Sequence, residues 1–270
     1  MAKVITLNNQ KGGVGKSTIS VLLGEGLAIR NFRVLIIDLD KQMNTTNCSG
    51  IEPESIEQDI MDILQFAQTF SLLPPDVIKS TIKKSIFTES PLGFDIIPGS
   101  KQCERAYQLL INKNGEQDRL LLKSVLLYLK EDYDFIIIDT PPSLDILSQN
   151  ALTACDSVII PAEAAVFSIS ALKDMIDIIE ALKMSINPNI KIEGILLNRV
   201  ERTNLAKDMI YVSTAAAKAL NTKVFSQTIR RGAKVVEAQT DKFNIFERYP
   251  NENVVQDLNG FIDEFLKGEN

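Results

Sequence analysis

The sequence predicts an α/β fold in which a mostly parallel, twisted sheet is flanked by helices. Two observations lead to this fold class. Short runs rich in β-branched residues alternate along the chain with longer segments of helical periodicity. Several of the short runs, such as residues 135–139, are almost entirely apolar, which is typical of strands buried on both faces of a parallel sheet.

Six segments are predicted to be strands, and a seventh is a weaker candidate. In chain order they are residues 3–7, 33–39, 94–98, 135–139, 157–161 and 191–197, with 222–225 as the weaker one. Apolar stripes at helical spacing follow the first and fifth strands. Residues 51–89 are the least regular part and are expected to form a variable, helical excursion. No repeat or linker divides the chain, so residues 1–270 are expected to form a single domain.

Composition narrows the possible chemistry. The chain has 35 acidic and 29 basic residues, so a global positive field is absent and any contact with nucleic acid needs a local basic patch. Histidine is absent, which excludes Ser-His-Asp and Cys-His catalysis. The three cysteines lie far apart and have no metal-binding spacing. No apolar run approaches the ~20 residues that cross a bilayer, so a cytoplasmic protein is expected.

The segment after the first predicted strand has the composition of a phosphate-binding loop. Its glycines allow a turn that directs several backbone N–H groups at one point, at the start of a helix. Lys16 is then expected to reach the β- and γ-phosphates, and Ser17 to bind Mg²⁺. Gln10 replaces the first glycine of the usual pattern, and a chance Gly-rich turn is the alternative. The strand before and the helix after favour a P-loop NTPase fold. The predicted nucleotide contacts here are Lys11, Gly12, Gly13, Val14, Gly15, Lys16, Ser17 and Thr18.

A second lysine, Lys11, lies in the same loop. The run from Lys11 to Thr18, Lys-Gly-Gly-Val-Gly-Lys-Ser-Thr, resembles the deviant Walker A loop of the ParA/MinD family of ATPases. The likeness is closest to the short, Soj-like DNA-partitioning members. This resemblance implies that Lys11 crosses a dimer interface to the phosphates of the partner's nucleotide. Two facing ATP molecules repel each other unless cations lie between them, so ATP is expected to hold a homodimer together.

Two acidic segments resemble the switches of that family. The first, Asp38-Leu-Asp40-Lys41-Gln-Met43-Asn, is similar to Asp-x-Asp-Pro-Gln-Gly-Asn. The match implies that Asp40 orients the attacking water and that Asp38 supports the Mg²⁺ shell. Because Lys41 and Met43 replace the usual proline and glycine, hydrolysis is expected to be slow or partner-dependent. The second, Asp139-Thr-Pro-Pro, implies a carboxylate that holds Mg²⁺ through water. The alternative for each segment is an ordinary acidic strand end.

These segments together predict slow, Mg²⁺-dependent hydrolysis of ATP to ADP and phosphate. The catalytic residues would be Lys11, Lys16 and Asp40, and the metal residues would be Ser17, Asp38 and Asp139. No covalent intermediate is needed, because positioned cations and an oriented water suffice for phosphoryl transfer to water.

The second half of the chain carries further residues to which the resemblance assigns a role. Asn198 ends the sixth predicted strand, at the point where the family recognises adenine; an amide both donates and accepts hydrogen bonds. A strand-end turn is its alternative. The resemblance also implies a surface that binds double-stranded DNA without sequence preference, and a solvated basic face is the alternative. The candidates for DNA binding are Arg202, Lys218, Arg230, Arg231 and Lys234.

Residues 251–267 carry apolar side chains at helical spacing, and two interpretations are open. One is a membrane-surface helix, which needs a basic polar face. Asp257, Asp263 and Glu264 make this polar face acidic, so packing against the sheet is the favoured interpretation.

The function implied by the resemblance is plasmid or chromosome partitioning. An ATP-bound dimer would coat the nucleoid, and a ParB-like centromere-binding adaptor would stimulate hydrolysis. A MinD-like, membrane-associated ATPase that positions cell-division or surface machinery is the alternative, although no membrane contact is expected. An iron–sulfur carrier of the same superfamily would need bridging cysteines. A strand beginning at Lys3 also leads us to expect neither a signal peptide nor an added N-terminal DNA-binding domain.

Overall fold

The structure, a computed structural model, describes residues 1–88, 90–111, 115–163, 169–201 and 203–268. The strands are β1 (Lys3–Leu7), β2 (Val34–Asp38), β3 (Asp95–Ile97), β4 (Phe135–Asp139), β5 (Ser157–Glu163) and β6 (Lys191–Asn198). The helices are α1 (Lys16–Ala28), α2 (Asn44–Cys48), α3 (Ile60–Ala67), α4 (Pro75–Lys84), α5 (Ala106–Leu110), α6 (Leu121–Leu126), α7 (Ile146–Ala154), α8 (Ile169–Ser185), α9 (Asn204–Ala219), α10 (Ala233–Asp241), α11 (Ile245–Arg248) and α12 (Asn253–Lys267).

The six strands form one parallel sheet in the order β3-β2-β4-β1-β5-β6. This arrangement confirms the predicted fold class. Since all strands point the same way, their carboxyl ends meet at one edge, which is where open α/β sheets bind ligands. Asp38 and Asp139 are direct register partners at that edge, and Leu7 is the partner of Asp139 on the other side.

Alternate side chains of each strand enter two separate cores. Val4 and Ile136 pack with α3, α5, α6, α7 and α8 on one face. Ile5 and Ile137 pack with α1, α11 and α12 on the other. Burial on both faces is the reason why these strands are apolar at nearly every position.

The weaker strand candidate at 222–225 is a single bridge between Val224 and Ile195. The chain leaves the ladder there because the Glu264 carboxylate accepts hydrogen bonds from the backbone N–H groups of Ser226 and Gln227, at 2.9 and 3.0 Å. The expected seventh strand is therefore shortened to one bridge. Beyond it, the Glu264 side chain of α12, and not a neighbouring strand, accepts the backbone N–H groups.

Helix α12 packs against α1, where Gly26 permits the close approach. A Cβ atom on Gly26 would lie 2.1 Å from Cδ1 of Ile262. The apolar side of α12, including Phe261 and Phe265, is buried, in agreement with the packing interpretation. Residues 51–88 contain α3 and α4. Among the described residues, no helix combines the length and the apolar character needed to cross a membrane.

Candidate nucleotide site

The Gly-rich loop connects β1 to α1 at the carboxyl edge of the sheet. Gly13 and Gly15 have φ angles of 80° and 92°, in the left-handed region that favours glycine. Gly15 is the N-cap of α1, so the first N–H groups of that helix face the loop. The amino group of Lys16 is buried within the loop and donates to the Asn9 carbonyl at 3.1 Å. Burial lowers the pKa of Lys16, and the charges of Asp139 and Asp40 oppose that shift.

Asn9 organises the start of this loop, and sequence reasoning missed it. Its side-chain oxygen accepts from the backbone N–H of Lys11 at 2.9 Å, and its amide donates to the Pro161 carbonyl of β5 at 2.8 Å. The Lys11 side chain is exposed. The structure therefore separates the two lysines, with Lys16 inside the loop and Lys11 at its rim. The signal for Asn9 was available, since an Asx residue two positions before a turn residue is a common turn-forming pattern.

Asp139 lies at the centre of a hydroxyl cluster. It accepts from Thr45 Oγ1 at 2.8 Å and from Ser20 Oγ at 3.4 Å, and Ser17 donates to it as well. Thr45 belongs to α2, so this bond joins the first switch to the carboxylate of the second. Burial raises the pKa of Asp139, while the hydrogen bonds from Ser17 and Thr45 act in the opposite direction.

Asp38 is fully buried and binds the first switch itself. One of its oxygens accepts from the backbone N–H of Asp40 at 3.0 Å. The other accepts from the backbone N–H and the hydroxyl of Thr46, at 2.9 and 2.7 Å. Burial, followed by the neighbouring Asp139 charge, raises the pKa of Asp38. These contacts hold residues 40–46 against the sheet, and the role of Asp38 in supporting the Mg²⁺ shell stays a prediction.

Asp40 is the carboxylate that lines the cavity beside the phosphate loop. The cavity has a volume of about 350 Å³, and Gly12, Lys16 and Ser17 also line it. Asp40 Oδ1 accepts from the backbone N–H of Gln42 at 2.9 Å, which fixes the turn that follows. Two of the three predicted catalytic residues, Lys16 and Asp40, thus face one cavity, whereas Lys11 is not part of its lining.

A second cleft, of about 680 Å³, continues from the first cavity past the carboxyl end of β6 to α10. Asn198 lies at its inner end and is buried; its amide donates to the Val14 carbonyl at 3.1 Å. A Cβ on Gly15 would lie 2.3 Å from that amide nitrogen. The cleft is lined by apolar side chains including Leu22, Ile229 and Val235, which suits the flat face of a base.

Arg199 lines both cavities and was not predicted. Its backbone is left-handed, with φ 52°, and its guanidinium donates to the Gly13 carbonyl at 2.7 Å. The arginine therefore connects the end of β6 to the phosphate loop. Residues 13 and 199 are far apart in the sequence and meet only in the fold. The sequence signal for Arg199 was its place in the polar pair Asn198-Arg199, which ends β6.

The structure describes four of the five predicted DNA-binding residues, and their role stays a prediction. Arg202 lies outside the described residues. Lys218 is near the carboxyl end of α9, whereas Arg231 pairs with Glu201 at the other end, at 3.9 Å. The guanidinium of Arg230 forms two bonds to Asp257, at 2.6 and 2.8 Å. Lys234 donates to Glu237 at 2.7 Å and to the Tyr249 hydroxyl at 3.4 Å.

The donors around the phosphate cavity fit a hard divalent cation. Ser17 and Asp40 line the cavity, and Asp139 lies directly behind Ser17. Hydroxyl and carboxylate oxygens are the ligands that Mg²⁺ prefers, together with water and nucleotide phosphates. Ser17 and Asp139 are the residues that would hold a Mg²⁺ ion at this site.

Comparison with known proteins agrees with this geometry. The model of a family described as an AAA domain matches residues 2–192. The sporulation initiation inhibitor protein Soj of Bacillus subtilis is 38% identical over 239 residues, covering 88% of each chain. The chromosome partitioning protein ParA of Myxococcus xanthus is 32% identical over 212 residues, covering 78% of this chain and 70% of that one.

A solved structure is similar over the whole chain. Cobyrinic acid a,c-diamide synthase of Mycobacterium smegmatis, with a bound ATP analogue and magnesium, superposes with a TM-score of 0.80. The sequence identity is 25%, and the match covers 100% of this chain and 96% of that chain. The phosphate loop, the paired strand-end carboxylates and the curated relatives lead to the same conclusion: the chain belongs to the ParA/Soj family of P-loop ATPases.

Proposed function

We propose that this chain is a DNA-partitioning ATPase whose ATP-bound form is a homodimer on double-stranded DNA. The observation that carries the proposal is the placement of its two loop lysines. Lys16 is buried where the phosphates of its own nucleotide would lie, whereas Lys11 is exposed at the rim, held there by Asn9. A cation at the rim is suited to a phosphate outside its own subunit, because charge is needed between two facing triphosphates.

Separate residues of the site bind the phosphates, orient the attacking water, hold the metal and bind the base. Lys16 exchanges the Asn9 carbonyl for the β- and γ-phosphates, and Asp40 orients the attacking water. Bound Mg²⁺ neutralises charge on the phosphates, and Ser17 with Asp139 would hold it. Asn198 and the apolar cleft bind adenine.

The hydrogen bonds of the first switch supply a route for regulation. Thr45 bonds to Asp139, and Thr46 bonds to Asp38, so residues 40–46 are tied to both strand-end carboxylates. Loss of the γ-phosphate would change the surroundings of Asp139 and release these residues, as in other nucleotide switches. A ParB-like adaptor that moved this segment would set the hydrolysis rate. The name of the Myxococcus relative, a chromosome partitioning protein, supports a role in partitioning.

Alanine substitutions of the two loop lysines are expected to have different effects on ATP binding and on dimer formation. Lys16→Ala removes the phosphate contact inside the loop and should abolish ATP binding. Lys11→Ala should retain ATP binding and lose the dimer, because only the rim cation is removed. Sedimentation of both variants with a non-hydrolysable ATP analogue and Mg²⁺ measures the dimer, and calorimetry measures nucleotide affinity. A Lys11→Ala protein that dimerised as readily as the parent would refute the role of Lys11.

Asp40→Ala is expected to separate hydrolysis from assembly. Loss of the water-orienting carboxylate should lower ATP turnover by ~10²-fold or more, while the ATP-bound dimer persists. Phosphate release measured beside sedimentation tests both parts of this statement. Asp40→Asn is the matched variant, because it keeps the hydrogen bond to Gln42 without the charge. Parent-like turnover in both variants would exclude Asp40 from the mechanism.

Membrane association is the alternative, and the burial of the apolar side of α12 argues against it. Co-sedimentation with duplex DNA and with anionic vesicles distinguishes the two. The proposal expects ATP-dependent recovery with DNA. Recovery with vesicles alone would favour a membrane-associated positioning ATPase.

A further inference from the structure

The phosphate cavity and the second cleft are continuous. Among the described residues they share three lining side chains, Thr18, Arg199 and Gln239, which surround the place where the two spaces join. We call this place the junction. In a nucleotide the sugar connects the base to the phosphates. With phosphates in the cavity and adenine in the second cleft, the ribose would therefore lie at the junction.

Helix α1 and the end of β6 agree on where the junction lies. Along α1, Ser17 lines the phosphate cavity, Thr18 lines both spaces and, one turn later, Leu22 lines the second cleft. At the end of β6, Asn198 lines the second cleft alone of the two spaces, whereas its neighbour Arg199 lines both. Two elements that are far apart in the sequence thus give a bound nucleotide the same direction.

Helix α10 reaches the junction from the side of the second cleft. Val235 and Val236 line that cleft, and Gln239 lines both spaces. The spacing of three and four residues places these side chains on one face of the helix. With a rise of ~1.5 Å per residue, Gln239 lies ~4.5 Å beyond Val236 along the helix axis, toward the phosphate cavity.

The three junction side chains differ in what they can bind. Arg199 is a cation that donates to the Gly13 carbonyl at 2.7 Å, so it is suited to a phosphate. Thr18 lies in the first turn of α1, where backbone N–H groups also favour phosphate. Gln239 is half-buried, and its side chain forms no hydrogen bond within the part of the chain that the structure describes. Its amide both donates and accepts, which matches the hydroxyl groups of a sugar.

From these observations we infer that the Gln239 side chain binds the 2′- or 3′-hydroxyl of the ribose and so favours ribonucleotides over deoxyribonucleotides. The inference rests on the adenine position in the proposed function and adds the residue that recognises the sugar. A glutamine that only faced solvent would make no distinction between the two kinds of sugar. The preference for a sugar hydroxyl is therefore the property that tests the assignment.

The test compares the binding of ADP, 2′-deoxy-ADP and 3′-deoxy-ADP by isothermal titration calorimetry with Mg²⁺. Diphosphates avoid hydrolysis and separate nucleotide affinity from the dimer, which the proposed function connects to ATP. We expect the parent to bind ADP ~5-fold more tightly than at least one deoxy nucleotide, which is the usual contribution of a neutral hydrogen bond. Gln239→Leu keeps the size of the side chain and removes the amide. It should bind the three nucleotides with equal affinity.

Thr240→Ala is the matched control, because Thr240 is exposed, follows Gln239 on α10 and lines neither space. It should keep the parental ratio of affinities. A parent that binds the three nucleotides equally would overturn the inference. A Gln239→Leu protein that keeps the parental ratio would do the same, even if its affinity for all three nucleotides were lower, because a uniform loss indicates a structural role.

A second variant separates a failure of the inference from a failure of the proposed function. The chain has no tryptophan, so Val236→Trp places a single fluorophore in the second cleft, at a position that is 65% exposed. Its emission should change when ADP binds, because adenine would lie beside it. Unchanged emission at saturating ADP would overturn the adenine position and the inference together. Changed emission, with an unaltered nucleotide preference in Gln239→Leu, would overturn the inference alone.

Discussion

Met43 has a backbone conformation that its side chain does not favour. It is the N-cap of α2, with φ 53° and ψ 33°. For a residue with a Cβ atom, this left-handed backbone conformation costs ~1–2 kcal/mol of conformational energy. The position is the one where the resembling switch motif has glycine, so the structure gives a physical reason for that glycine and for the strain here. The strain lies between Asp40 and Thr45, in the segment that is tied to both carboxylates.

We expect Met43→Gly to raise the free energy of unfolding by up to ~1 kcal/mol, because the relief of strain exceeds the added entropy of glycine in the unfolded chain. Urea denaturation measures the change. Met43→Ala is the control, since it shortens the side chain and keeps the Cβ, and it should give no gain. Equal effects of the two substitutions would show that the left-handed backbone is not the cause.

At the scale of elements, α12 holds the segment from Ser226 to Arg230, whose last two residues line the second cleft of the site, the base cleft. Glu264 accepts the two backbone N–H groups at the start of this segment, and Asp257 accepts three bonds from Arg230 at its end. Asp257 is 7% exposed, so its charge needs this partner. The helix thus shapes the base cleft without contributing to its lining.

Removal of either partner of this ion pair is expected to destabilise the protein. Arg230→Ala leaves a nearly buried carboxylate without its guanidinium, at a cost of ~3 kcal/mol, and the double variant with Asp257→Ala should cost less than the sum of the two. Denaturant unfolding of the two single variants and the double variant gives the coupling energy. Additive losses would mean that the bidentate contact does not stabilise the fold.

Across the whole molecule, one buried carboxyl group is expected to influence how stability varies with pH. Glu25 of α1 is 2% exposed and accepts the backbone N–H of Ile245 at 3.0 Å, which links α1 to α11. Burial raises the pKa of Glu25 to about 8 from an ordinary value of 4.5, and the charge of Glu247 adds to the shift. Between these two values the unfolded chain releases a proton that the folded chain keeps. The contribution of Glu25 to stability therefore falls as pH rises.

Glu25→Gln keeps a hydrogen-bond acceptor and removes the titration. Its stability relative to the parent is expected to increase with pH by ~1.4 kcal/mol per unit at most, from about pH 5 to 8, and then to level off. Thermal or urea unfolding across this range measures the difference. The exposed Glu131→Gln should follow the parent at every pH. A constant difference between the Glu25 variant and the parent would show that Glu25 is charged in the folded state.

The fold class and the phosphate loop could be predicted because they depend on local patterns in the sequence. A strand buried on both faces has to be apolar throughout, and a loop that wraps phosphates needs glycine at positions such as Gly13 and Gly15. For that reason the six strands were predictable to within one or two residues. The likeness of the phosphate loop and of the first switch to a known family added roles for Lys11 and Asp40, respectively, and these roles remain predictions.

Contacts between distant parts of the chain were decided only by the tertiary structure. Arg199 reaches the Gly13 carbonyl, and Thr45 reaches Asp139. No periodicity or spacing encodes such pairs, because each depends on how helices and strands pack. The same reason explains why Arg230 and Lys234, which were predicted to bind DNA, pair with Asp257 and Glu237 within the fold. Sequence alone identifies charged residues, whereas packing decides which of them already have partners.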